Sequence, residues 1–190
     1  MTKEELTLVA AAVAAGASLF SVLLGILGQK GAEFRAAHRQ LMGEYLEDLG
    51  RVIHESVATA HVLVKKANHG GNVQGWRERA DRATRELGEM RRRARYSLWG
   101  IDEGLRDLSR LSSWVAHNYS YPDKAERILE AAESLRCALD EAIRSSYKKG
   151  KPPAQAKCRA VQRAARDLRT VYAETMRSKL EEQDDDAENL

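Results

Sequence analysis

The sequence predicts an all-α protein, an N-terminal transmembrane helix followed by a long-helix antiparallel bundle, coiled-coil-like and of about four helices. Three observations predict it. One is a long uncharged stretch near the start. Another is apolar spacing that alternates four and three residues over most of the rest. The third is composition, with Ala, Leu, Glu, Arg and Lys dominant and only three prolines among 190 residues. The boundaries fall as an anchor over residues 1–29, a bundle over 30–180 and an acidic tail over 181–190.

Leu6 to Gly28 form the uncharged stretch, 23 residues long. As a helix it reaches about 34 Å, enough for a hydrocarbon core of about 30 Å. The leader carries Lys3, Glu4 and Glu5, not the basic start of a signal peptide, and no cleavage pattern follows Gly28. Lys3 alone precedes the stretch, whereas Lys30, Arg35 and Arg39 follow it. The excess of bases behind the span predicts an N-terminus outside a cell (inner) membrane and a cytoplasmic remainder. Ala17, Ser21 and Gly25 recur every fourth residue, a small-residue face on which, together with the heptad seams of the later helices, two chains could meet as a homo-oligomer.

The first helix beyond the span has its seam at Met42, Leu46, Leu49, Ile53, Ser56, Ala60, Leu63 and Ala67. Asn68-His69-Gly70-Gly71-Asn72 ends it. A second helix continues the alternation from Trp76 through Ala80, Ala83, Leu87, Met90, Ala94, Ser97, Ile101, Leu105, Leu108 and Ser112 to Val115. Read as one rod it spans about 66 Å and returns to the bilayer, with a bend plausible at Gly88, Gly100 or Gly104. The turn after it holds Trp114, Tyr119 and Tyr121, aromatic residues that would suit either the membrane–water interface or the end of a core.

A third helix covers Asp123 to Lys149, with Ala125, Ile128, Ala132, Leu135, Leu139 and Ala142 inward. Lys149-Gly150-Lys151-Pro152-Pro153 makes the next turn. The fourth helix covers Ala154 to Leu180, with Val161, Ala165, Leu168, Tyr172 and Thr175 inward. These last two helices are shorter than the second, so the far part of the bundle is expected to be two-stranded, with a seam left for a partner. Antiparallel register offsets Cys137 from Cys158 by about 10 Å, so two thiols are expected. The last ten residues hold six acids and no base, which predicts a solvated, disordered tail.

Catalysis finds little support. His54 and His61 share a helix face near Glu55, but no histidine has the Glu-x-x-His spacing of a two-metal bundle. No nucleophile elbow, phosphate loop or Cys/His cluster is present. The reading is no enzyme and no cofactor. Charge says more. The formal net charge is +3, and it becomes +9 for residues 1–180 once the tail acids are set aside. Lys148, Lys149, Lys151, Lys157, Arg159, Arg163, Arg166 and Arg169 face a single acid, Asp167, within residues 148–169. The first seven are the candidate polyanion-binding residues. Arg91, Arg92, Arg93 and Arg95 form a second cluster. Nucleic acid is not the expected partner, because no recognised binding motif accompanies the charge.

With its span, the charged segment Gln29-Lys30-Gly31-Ala32-Glu33-Phe34-Arg35 and the helical region after it, the chain resembles uncharacterised bacterial single-pass membrane proteins. The resemblance is one of architecture and implies no catalytic residues. The sequence therefore points to a membrane-anchored helical scaffold or interaction module with the lipid bilayer and an unknown protein as partners. The alternative is a binder of anionic lipid or nucleic acid.

Overall fold

The computed structural model describes residues 43–98, 100–118, 121–149 and 151–188, with residues 32, 33 and 36 besides; the side chains of 93–97 and 181–188 are left aside. The described residues are helical with no strand. They form α1 (residues 43–68), α2 (Gln74–Ser97), α3 (Asp102–Leu108), α4 (Leu111–Ala116), α5 (Pro122–Lys149) and α6 (Gln155–Glu188). The Leu6–Gly28 stretch and the Ala17, Ser21, Gly25 face lie outside the described residues. Within the described residues no helix is long and apolar enough to cross a membrane.

The chain runs up and down between two ends. The Tyr45 hydroxyl donates to the Met90 carbonyl at 2.9 Å and Arg51 pairs with Glu86 at 3.0 Å, so α2 returns antiparallel along α1. Gly70, at φ 66°, closes the turn between them. The α1-start end therefore holds residue 43 and the end of α2; the opposite end holds the α1–α2 turn. Thr84 and Ser112 hydroxyls meet at 2.6 Å, and Ala116 lines a cleft with Leu63 and Asn72. So α3 and α4 have already climbed back to the opposite end. Pro122 sits there beside His61 and His69, and α5 descends until Tyr147 reaches Gly43. α6 rises last, bringing Lys179 to the His117 carbonyl at 3.0 Å.

The second helix, expected as one rod of about 66 Å, is therefore corrected to three pieces, broken between α2 and α3 and again at Ser109–Arg110 between α3 and α4, of which the first break sets the reversal. The reason is local. Gly100 adopts φ 94°, a left-handed conformation that breaks the helix, and α3 starts anew at Asp102. Arg91 fixes the break by holding the Asp102 carboxylate with two bonds, 2.9 and 3.1 Å. The reversal makes α3 and α4 a further column, so the bundle has five columns where about four were expected. It also matches the column lengths. α2 has 24 residues and α5 has 28, or about 36 and 42 Å. The expected two-stranded far end is thus corrected, because α4 packs there against α2 and α5.

The seams keep their phase through the breaks. Leu49, Ile53, Leu87, Ile101, Leu105, Leu108, Val115, Ile128, Leu135, Leu139 and Leu168 are all fully buried. Each large side chain withdrawn from water contributes about 1.5–3 kcal/mol. α1 buries a wider stripe than its seam, because Val52, Val57 and Val64 are buried as well. α3 lies deepest, against α5 and α6, and Gly104 is what lets it in. A Cβ at Gly104 would stand 2.5 Å from Val161 Cγ1. α6 continues as helix beyond Leu180 to Glu188, where a disordered tail is expected. Glu, Gln and Ala in that segment are good helix formers, and the preceding turns supply the nucleus.

Candidate functional site

The turn between α5 and α6 sits at the α1-start end, and its shape is set by few contacts. Ser146, buried on α5, donates its hydroxyl to the Lys151 carbonyl at 2.5 Å. Pro152 and Pro153 cannot continue a helix with their own N–H groups, and Pro153 tucks inward. The Ala154 carbonyl then accepts from Lys157 N–H at 2.8 Å and starts α6. The result leaves Lys148, Lys149 and Lys151 exposed together at that end of the bundle.

The seven candidate residues are not one patch. Lys157 bonds to Glu141 across the α5–α6 hairpin and is occupied. Arg159, Arg163 and Arg166 are exposed on α6 at four- and three-residue spacing, hence on one face, over about 10 Å. Neither this row nor the three lysines has a carboxylate within ion-pair distance among the described residues. The structure thus separates a lysine group at the end from an arginine row along the side.

Arg169, the eighth base of the run, turns inward. Its Nε stands 3.1 Å from Asp107 Oδ2 and its Nη2 3.8 Å from Glu103. The same Nε donates to the Ala165 carbonyl, so Oδ2 is ion-paired without a directed hydrogen bond. Asp107 is fully buried on α3 and also lies 3.5 Å from Arg106. Burial raises its pKa above the ordinary carboxylate value, against the lowering pull of Arg169 and Arg106. Reading the sequence for apolar periodicity misses Asp107; its only signal is its place between Leu105 and Leu108. In the second cluster Arg91 is spent on Asp102, while Arg92 is exposed.

The histidines and aromatics also find their places. His54 and His61 are exposed on α1, and no three His, Cys, Asp or Glu side chains converge as metal ligands among the described residues. Arg136 hydrogen-bonds Glu133 and holds its carboxyl below the usual range. Trp114 stacks on Tyr172, ring centroids 4.6 Å apart, and is buried. Tyr121 has Lys124 and Lys179 over its ring, at 4.7 and 5.2 Å. Tyr119 lies outside the described residues. This aromatic turn is at the opposite end from residue 43, so the expected return of the second helix toward the start of the first is corrected: the break at Gly100 sends α3 and α4 the other way. Cys137 is exposed and Cys158 buried, and no disulfide joins them.

Compared with known proteins, the chain matches no family model, no curated protein and no solved structure.

Proposed function

We propose that the chain is a single-pass, membrane-anchored helical interaction module without catalytic activity. Leu6–Gly28 is its span, its N-terminus lies outside the inner membrane, and its bundle works in the cytoplasm. The arginine row on α6 carries the docking part of this reading. Among the described residues Arg51, Arg91, Arg127 and Arg136 meet carboxylates, whereas other exposed arginines, Arg82 and Arg85 on α2 among them, do not; what distinguishes α6 is three open arginines aligned on one face within a run holding a single acid. Arg159, Arg163 and Arg166 are left open on one face, which suits an acidic protein surface. The span is supported by its length and by the bases that follow it.

The test uses full-length protein in its membrane. A photocrosslinker at Gln162, exposed beside the row, should capture a discrete partner, and R159E/R163E/R166E should abolish that product. The triple variant retaining the same product would refute the docking face. Binding to nucleic acid instead would appear as an affinity falling with salt at a log–log slope of about −2 to −3, the value for three phosphate contacts. The protein should resist alkaline extraction from membranes, and a variant lacking residues 1–29 should not. Equal release of both would refute the anchor.

A further inference from the structure

From the packing of α5 against the start of α1 we infer that the α5–α6 turn is a seat for anionic lipid headgroups. Tyr147, Lys148, Lys149 and Lys151 make that seat, and it stands the bundle on the leaflet from which its own chain emerges. The inference rests on the anchor proposed above.

Position comes first. A Cβ at Gly43 would lie 3.5 Å from Tyr147 Cε2, so the last turn of α5 is beside the first described turn of α1. The 14 residues 29–42 connect Gly43 to the end of the span. They cover about 21 Å if helical and at most about 49 Å if extended. The α1-start end of the bundle is therefore tethered within about 21 Å of the span if the segment is helical, closer than the length of the bundle itself.

Chemistry comes second. Tyr147 is 49% exposed, and Leu180, toward the other end of the bundle, is the other exposed large hydrophobic among the described residues. A tyrosine beside three open lysines combines an amphipathic ring for the headgroup layer with cations for anionic phosphates. The lysines alone have a local explanation, since bases at a helix C-terminus offset its partial negative charge. That explanation does not account for the exposed ring, or for Lys151 beyond the helix end. Lys30, Arg35 and Arg39 on the connecting segment add bases on the same side of the span.

The experiment places full-length protein in nanodiscs of phosphatidylcholine, with and without phosphatidylserine. A nitroxide is attached at A154C, next to the turn, or at S113C, on α4 toward the opposite end, both in a C137S background. Nickel-chelating lipid in the disc broadens the spectrum of a label near the headgroups. The label at 154 should broaden in the anionic disc and the label at 113 should not. Removing phosphatidylserine, or introducing K148E/K149E/K151E with helicity intact by circular dichroism, should return the label at 154 to the behaviour of the label at 113. Equal broadening of the two labels, or broadening at 154 indifferent to both changes, would overturn the seat. Should the protein be extracted from the discs by alkali, the anchor fails on its own. Flotation of the full chain with phosphatidylserine vesicles then decides the seat. Each lysine beside an anionic leaflet contributes about fivefold, so the triple variant should bind roughly 100-fold more weakly or worse. Equal flotation of wild type and variant would overturn it.

Discussion

Gly104→Ala tests the packing that brings α3 into the bundle. The added methyl would lie 2.5 Å from Val161 Cγ1, 3.2 Å from Leu135 Cδ1 and 3.3 Å from Leu139 Cδ2. Val161, Leu135 and Leu139 are fully buried, so none can swing into solvent. Overpacking of this kind costs about 1–3 kcal/mol. Alanine offsets part of that through helix propensity, which favours it over glycine by about 1 kcal/mol. The net expectation is a loss of about 1 kcal/mol. Val161→Ala alone removes two buried methyls and leaves a cavity, which costs about 2–3 kcal/mol. In the double variant the new methyl occupies the space vacated at Val161. The two losses should then fall short of additivity by about 1–2 kcal/mol, well beyond the 0.5 kcal/mol scatter of independent sites. Urea unfolding of the detergent-solubilised protein, followed by far-ultraviolet circular dichroism, reads all four corners of the cycle. Additive losses, or a more stable G104A single variant, would refute the close approach of α3 to α6.

Asp107 supplies a pH dependence. Its folded pKa is raised by burial, so the folded chain holds the proton longer than the unfolded chain does. The stability tied to that proton is fully present below the ordinary carboxylate pKa and is lost as pH rises through the raised value. D107N should lack this decline; urea midpoints that fall as fast or faster with rising pH for D107N than for wild type would contradict the account. Thiol labelling gives a further check. Cys137 should react with a neutral maleimide in the native protein. Cys158, buried and with its pKa pushed up by burial, should react only on unfolding, and equal native rates would place α6 wrongly against the break at Gly100.

Much of the core was legible because heptad spacing depends on side-chain periodicity alone. Ile101, Leu105, Leu108, Ser112 and Val115 share one seam with Leu87 and Met90, and all are buried. Continuity of the rod was not legible. A glycine within a helical pattern costs only about 1 kcal/mol, and whether Gly100 breaks the helix depends on what it packs against, here Cys158. The end at which the aromatic turn lies follows from the break at Gly100. The run of bases was visible as composition, but its division was not. Lys157 and Arg169 are withdrawn from it by Glu141 and Asp107, which lie on other helices and far away in sequence. The buried state of Asn118, which donates to the Trp114 carbonyl at 2.9 Å, carried no sequence signal either.

The sorting of charge along α6 has a consequence for crowding. Five of its seven bases lie within the first four turns and six of its eight acids within the last two, and the centres of those two groups are about 32 Å apart along the helix. If the proposed anchor holds copies the same way up on one bilayer, two that turn this face to each other meet arginine row against arginine row. Below the screening distance of about 8 Å at physiological salt, that contact is repulsive. The helix then keeps neighbours apart, as a bumper does, and the closest spacing of copies widens as salt is lowered. A polyanion lying between two rows reverses the sign and turns the same surfaces into an adhesive.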